Sequence, residues 1–483
     1  MKAHRDAPAS RSRRSLLKGA AALVSSSALA GTTLASARGN RGWKVVETAR
    51  DSTHRLAPIP GPPAARSGTA AIRCDPRRTA QDIIGFGGAL TESAAHVLRQ
   101  LPDEKRNAVL RAYYHPVDGI GYTLARTPMT SCDFSLSSWS LADVAGDLDL
   151  KNFSLAPMRE LQLPLIRDVQ RIAGAGKFRL LASPWSPPAW MKINADMLRG
   201  GSLRADCADA WARYYVRFVQ AMRDEHLPVW ALTVQNEPDV SQPWESCRYS
   251  PHDEADFIAR HLGPALQRAR LGDVRLYGWD HNRDGLVERA DALLGDPACA
   301  KYLAGLALHW YGEELFEASR QVLARFPETQ ILFTEGCVEG GPHAGEWAPA
   351  ERYARNMIGD FGNGICGFID WNIALDLRGG PNHVGNFCHA PVLVDAAAGT
   401  VHYQPSFYYI GHFSRFVRRG AKLAALTNDS APAAVAFVNP DRSVVVIVAN
   451  AADDAEAFTL AVADDARACR VPAHAIQTYL VAR

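Results

Sequence analysis

Short apolar runs alternate with longer amphipathic stretches through most of this chain, and the alternation predicts an α/β fold with a parallel sheet. The apolar runs are residues 83–88, 121–126, 178–183, 229–236, 274–280, 303–309, 331–335 and 366–372. Each is short and nearly continuous in hydrophobicity, as strands buried on both faces are. Between them the period lengthens to that of a helix. Residues 211–223 put Trp211, Tyr214, Tyr215, Phe218, Val219 and Met222 on one face, and 254–268 and 350–361 behave alike. Such repeated strand–helix units fit a closed (β/α)8 TIM barrel better than a doubly wound sheet.

The two ends of the chain have another texture. After Val401 come short β-rich runs at 434–438, 443–448, 458–462 and 476–481, separated by turn formers such as Asn439-Pro440-Asp441. Near the start, 43–50 and 70–74 read as two strands around a Pro-rich loop at 58–63. Two strands do not fold alone, so both ends are assigned to one accessory β-sandwich domain. The expected division is 38–80 for the N-terminal sandwich strands, 81–398 for the catalytic barrel and 399–483 for the C-terminal sandwich. Residues 1–37 read as a signal peptide of the twin-arginine type. Arg13-Arg14 precedes a mild apolar run that closes on Ala35-Ser36-Ala37, and the protein is expected to be exported, periplasmic or secreted. That run is too rich in Ser, Gly and Thr for a transmembrane segment.

Composition narrows the partners. The chain is 47% hydrophobic and 22% charged with a net charge of +2, and beyond the first positions its Lys and Arg are scattered. No nucleic-acid partner is expected. Nine cysteines, an odd number with no CxxC, form neither a zinc motif nor a dense disulfide framework.

The ends of the barrel strands carry the candidate chemistry, because in this architecture they converge on one mouth. They read Thr91-Glu92, Arg126, Trp185, Asn236-Glu237, Trp279-Asp280-His281, His309-Trp310-Tyr311, Glu335 and Asp370-Trp371-Asn372. Aromatic faces stack on the C–H faces of a sugar ring, and amides, Arg and carboxylates bond its hydroxyls. Glu237 and Glu335 each close an apolar run, a costly place for a charge unless chemistry needs it. Two such carboxylates suggest an acid/base and nucleophile pair for opening a glycosidic bond. Gly85-Phe86-Gly87-Gly88 is not a dinucleotide loop, because Leu90 fills the third glycine's place. Asp280, His281 and His309 lack a further paired ligand motif, so no metal and no cofactor are expected.

These residues sit in long motifs that resemble glycoside hydrolase family 30, including its glucosylceramidases. The motifs are Gly85-Phe86-Gly87-Gly88-Ala89-Leu90-Thr91-Glu92, Arg126-Thr127-Pro128-Met129-Thr130-Ser131-Cys132-Asp133-Phe134 and Ser183-Pro184-Trp185-Ser186-Pro187-Pro188-Ala189-Trp190-Met191-Lys192. Thr233-Val234-Gln235-Asn236-Glu237-Pro238, His309-Trp310-Tyr311, Phe333-Thr334-Glu335-Gly336-Cys337 and Asp370-Trp371-Asn372 continue the match. The resemblance implies a retaining β-glycosidase for a β-glucoside, glycolipid or oligosaccharide, with glucosylceramidase-type activity foremost. A β-1,6-glucanase or β-xylosidase is the alternative within the family, and a non-catalytic carbohydrate-binding protein the alternative outside it.

Carried over by position, Glu237 is the expected general acid/base and Glu335 the nucleophile. Asn236 would bind the 2-hydroxyl, while Arg126, Asp133, Trp185, Trp371 and Asn386 would line the sugar pocket. Tyr311 would bond Glu335, with His309 supporting the network. Retention requires carboxyl groups about 5–5.5 Å apart. Glu335 is expected ionised and Glu237 protonated in a drier setting. The resemblance weakens on the leaving-group side. His383 and Gly385 stand where the glucosylceramidase branch has Trp and Arg, and the loop containing residues 242–247 is shorter.

Overall fold

The computed structural model describes residues 42–65, 71–429 and 432–482, so the expected export segment lies outside the described residues. The strands Gly85–Ala89, Leu124–Pro128, Arg179–Ser183, Val229–Thr233, Arg275–Asn282, Gly305–His309, Gln330–Glu335 and Gly367–Asn372 close into a parallel barrel in chain order. The eighth pairs with the first, Phe368 opposite Phe86. Each apolar run of the sequence reading supplies one of these strands. Leu124, Leu181, Ala231, Tyr277, Ala307, Leu332, Cys366 and Ile369 fill the interior, so the floor under the mouth is solid. Pairing is tight where the sixth strand begins: a Cβ on Gly305 would lie 1.8 Å from the carbonyl oxygen of Gln330.

Helix Ala208–Asp224 buries the aromatic face that its period predicts. The stretch expected as one helix over 254–268 is instead Pro251–Asp256 and Gly263–Arg268 joined by a π-helical turn, Phe257–Leu262. Pro264 supplies the cause. It has no N–H, and its ring would collide with the carbonyl four residues back, which a widened turn avoids.

Both chain ends enter one nine-stranded sheet. Its order is Asp465–Val471, Glu456–Val462, Ile72–Asp82, Lys422–Asn428, Ala433–Val438, Val444–Asn450, Ala475–Val481, Trp43–Ala49, Ala57–Ile59. The sheet curls into a sandwich. Phe458 and Tyr479, from non-adjacent strands, meet edge to face at 6.3 Å, and Trp43 Nε1 donates to Asp465 at 2.7 Å. Val444, Val446 and Val448 point into the sandwich interior, whereas Val445 and Ile447 join the barrel's core. One strand therefore serves two cores by simple alternation.

Helix Pro405–Ser414 was not foreseen. It is buried almost all round and so carries no amphipathic period. It fastens the sheet from beneath: the ring of His412 bonds Thr478 Oγ1 at 2.8 Å and Thr48 Oγ1 at 2.9 Å, reaching strands from both chain ends. A small sheet of Leu375–Asp376, Val392–Asp395 and Thr400–Tyr403 also escaped the sequence reading.

Burial pulls His412 down to about 3 from an ordinary 6.5. The folded state resists a proton that the unfolded chain accepts, so the stability is present above pH 6.5 and drains as pH falls toward 3. Buried His389, drawn down to about 4 by burial, adds the same sign. His412→Gln should therefore flatten, without abolishing, the acid-side fall of the melting temperature. Thermal denaturation across that window checks it, and an unchanged slope would contradict it.

Candidate active site

The barrel mouth is organised by backbone that few residues adopt. Trp279 (φ 70°), Asp280 (φ 55°) and Glu237 (φ 46°) all occupy the left-handed region. Such a conformation costs a non-glycine residue roughly 1–3 kcal/mol. At Trp279 and Asp280 the fifth strand slips register against the sixth. This bulge aims the Asp280 side chain inward, while its carbonyl accepts the Glu237 N–H at 3.0 Å.

Asp280 is fully buried and accepts four bonds: from Arg126 Nη2 (2.7 Å), Thr233 Oγ1 (2.6 Å), Thr334 Oγ1 (2.6 Å) and His309 Nε2 (2.9 Å). Burial alone would raise its pKa. The Arg126 charge and the bond from His309 outweigh burial and hold it well below the usual carboxylate range. Arg126 in turn gives Nε to Ser183 Oγ (3.0 Å), Nη2 to Asn236 Oδ1 (2.8 Å) and Nη1 to Glu335 Oε2. Its guanidinium lies 4.7 Å from the ring of Trp185 and 5.7 Å from that of Trp371, and the two indoles stack at 5.3 Å. Tyr311 Oη donates to Glu335 Oε1 at 3.0 Å, and Asn386 Nδ2 donates to Asp133 Oδ2 at 2.9 Å.

The structure thus gathers Arg126, Asp133, Trp185, Asn236, Glu237, His309, Tyr311, Glu335, Trp371 and Asn386 around one mouth. Other strand-end residues turn away. Thr91 caps helix Glu92–Arg99, Glu92 accepts from Trp139, Trp310 packs on Phe333 and Tyr353, and Asp370 takes the Tyr353 hydroxyl. Sequence reasoning placed Asp280 at a strand end without giving it a role, and passed over its donors Thr233 and Thr334. It read Gln242 only as a loop residue; Gln242 Nε2 reaches Glu237 Oε2 at 3.3 Å.

A carboxylate oxygen of Glu237, one of Glu335 and a ring nitrogen of His309 all lie within 4.8 Å of one another. Inverting pairs stand about 6.5–9.5 Å apart to admit a water, and retaining pairs about 5–5.5 Å. Among the described residues this trio also has the spacing to share a metal ion. Arg126 on Glu335 and the charge of His309 already supply positive charge there, which suits proton and nucleophile chemistry better than ligation.

On balance the site pushes the two glutamates in opposite directions. Burial is the largest influence on both glutamates and pushes both upward. For Glu237 the close approach of His309 and the charges of His309 and His281 outweigh it, so Glu237 lies below its ordinary value. For Glu335, His309 and Arg126 fail to outweigh burial and the charges of Glu237 and Asp280, so it lies above. The downward pull on Glu237 comes mainly from His309. Burial opposes its charge, yet Glu335, the bond with Asp280 and the nearby Glu237 raise it to about 9. An imidazolium therefore adjoins Glu237, its Nδ1 3.5 Å from Oε1.

Asp280→Asn keeps the shape of the hub and removes its charge. Leaving a buried arginine short of a counter-ion typically costs about 3–5 kcal/mol. The variant should melt several degrees lower and its His309 should lose its proton at a lower pH than in the wild type, read by calorimetry and imidazole NMR. A wild-type melting point with an unshifted His309 ionisation would contradict the hub.

The comparisons agree with this geometry. The glycosyl hydrolase family 30 TIM-barrel domain matches residues 83–417, and the family's beta sandwich domain matches 423–479. Lysosomal acid glucosylceramidase of Mus musculus is 35% identical over 438 residues, covering 86% of this chain and 84% of its own. Endo-1,6-beta-D-glucanase of Neurospora crassa is 30% identical over 389 residues, covering 77% and 79%. The crystal structure of SrfJ from Salmonella typhimurium superimposes with a TM-score of 0.87 at 35% identity, covering 91% of this chain and 99% of that one. With a family match across barrel and sandwich and two carboxylates at the mouth, the chain belongs to glycosyl hydrolase family 30 and is an O-glycosyl hydrolase.

Proposed function

We propose that the protein is a retaining β-glucosidase working by double displacement. The observation that carries this is the approach of Glu237 and Glu335 to within 4.8 Å, oxygen to oxygen. Glu335, oriented by Arg126 and Tyr311, attacks the anomeric carbon as the bond to the leaving oxygen breaks. Glu237 delivers a proton to that oxygen. The proton comes from His309 Nδ1, 3.5 Å away, and the imidazole left behind keeps its Nε2–H on Asp280. A glycosyl ester on Glu335 results. Glu237, now a base, takes a proton from water as that water attacks the anomeric carbon, and the ester bond breaks to release sugar of retained configuration.

For the leaving group we favour a glucosylceramide-type lipid, as the name of the mouse relative suggests. Among the described residues, five of the six exposed large hydrophobic side chains, Leu136, Val144, Leu148, Ile193 and Leu377, follow barrel strands and so sit on the mouth side. An apolar rim suits an apolar aglycone. A β-1,6-glucan is the second reading, supported by the Neurospora relative and by the short loop at 242–247. We also read residues 1–37 as a twin-arginine export signal, on the arginine pair and the small-residue end alone.

Proton NMR of the first-formed product from an aryl β-glucoside should show the β-anomer, and Glu335→Gln should lower kcat by on the order of 10⁴-fold with folding intact. Glucosylceramide micelles and a β-1,6-linked glucan, assayed in parallel, separate the two readings. Release of the α-anomer first would sink the mechanism, and turnover of neither substrate would sink both substrate readings.

A further inference from the structure

His383, on the loop after the eighth barrel strand, has acceptors on both sides of its ring. Nδ1 lies 3.1 Å from the carbonyl oxygen of Asp133 and 3.2 Å from that of Ser135. Nε2 lies 3.4 Å from Oε2 of Glu245. A neutral imidazole carries a single N–H and serves one of these sides, whereas an imidazolium serves both. Among the described residues neither Nε2 nor Oε2 has a hydrogen-bond partner elsewhere, so the contact is an ion pair at 3.4 Å and calls for the charged form.

Glu245 gives the same answer from the other side. It is fully buried in the loop after the fourth strand, and its other oxygen takes the Ser131 hydroxyl at 2.7 Å. A buried carboxylate needs a counter-charge. The other cation nearby, Lys192, spends its ammonium on the carbonyls of Met197 (3.1 Å) and Ser246 (2.6 Å). His383 remains as the partner.

The contact adds a charged pair to the bonds that join three mouth loops. Glu245 belongs to the fourth-strand loop and bridges by backbone to Leu198 of the third, and Ser131, Asp133 and Ser135 belong to the second. Residues 382–386 form a compact turn in which Asn382 Oδ1 accepts the N–H groups of Val384 (3.0 Å) and Asn386 (3.1 Å). That turn sets Asn386 Nδ2 on Asp133 Oδ2, and the His383 N–H donates to the Asp133 carbonyl at 3.3 Å.

We propose that His383 is a positioning residue: as an imidazolium paired with Glu245 it clamps the second-, fourth- and eighth-strand loops, so that Asp133 and Asn386 present one fixed edge to the sugar. This rests on the glucosidase reading above. The titratable groups around the pair are Glu245, then Asp133 and Cys132 from the second-strand loop, with Lys192 facing Glu245 from the third. The close approach and charge of Glu245 raise His383 above its ordinary value against burial, and the Asp133 and Ser135 carbonyls add to the rise. Loss of its proton forfeits one side of the clamp, so the affinity for sugar falls while the chemistry at Glu237 and Glu335 is left in place.

The test follows His383 by ¹H–¹⁵N imidazole NMR, assigned through His383→Gln, and follows KM and kcat for an aryl β-glucoside against pH. In the wild type both ring nitrogens should be protonated at pH 6, and KM should rise several-fold as that proton leaves, with kcat changing less than KM. Glu245→Gln should lower the ionisation by about one pH unit or more, and the rise in KM should move with it. His383→Gln should show a high KM at every pH, and His383→Lys, which keeps a charge on Glu245, should recover part of the affinity. A neutral tautomer at pH 6 in the wild type would overturn the proposal, whether or not any variant folds. So would a pH profile of KM that Glu245→Gln leaves in place. The NMR measurement needs no turnover, so it stands apart from failure of the glucosidase reading itself.

Discussion

A carboxylate sealed from water, Asp280, sets the charge of everything around it. Arg126 is fully buried, and a guanidinium in that position is tolerable only with anions against it. Asp280 supplies one and Glu335 the other. The same Asp280 fixes His309, taking its Nε2 and leaving Nδ1 turned toward Glu237. Two threonine hydroxyls complete its shell, one from the fourth strand's end and one next to Glu335 on the seventh. The two glutamates therefore differ in environment although they share a pocket. One is held by a permanent cation and a phenol, the other by an imidazole that can give up its proton.

That hub exists because of a backbone irregularity. A regular strand through Tyr277 to His281 would alternate its side chains, and the bulge at Trp279–Asp280 breaks the alternation to point Asp280 at Arg126. The left-handed conformations of Trp279, Asp280 and Glu237 are maintained by the barrel around them. The rest of the fold steadies this arrangement. The packed interior below gives the strand ends a rigid base, and helix Pro405–Ser414 ties the sandwich to the barrel through His412. Above the mouth, loops from four strands meet at Glu245 and Lys192, buried ionisable groups that lock the walls rather than react.

Much of this was legible in the sequence because it follows simple periods. The barrel strands announce themselves as apolar runs, and Glu237 and Glu335 as charges where such runs stop. What escaped breaks a period or has none. Asp280 lies in a bulge, so alternation says nothing reliable about where it points. Helix Pro405–Ser414 is buried on nearly every side, His412 included, so no solvent-facing polar stripe marks it. Trp310 and Asp370 sit beside inward-facing His309 and Trp371 and point away, a choice that adjacency in sequence cannot make. The opposite shifts of the two glutamates were not legible for a different reason. They are a property of three coupled groups, Glu237, Glu335 and His309, whose closeness only the folded chain creates.

Double displacement requires a carboxylate oxygen of Glu335 to bond the anomeric carbon. A 2-deoxy-2-fluoro-β-glucoside with a good leaving group slows both steps, the second more than the first, so the ester intermediate accumulates and can be located by peptide mass spectrometry. Glu335 should carry the added fluoroglucosyl mass, and the wild-type enzyme should lose and slowly regain activity in step with it. A label on Glu237, or turnover blocked with no covalent adduct at all, would contradict the mechanism.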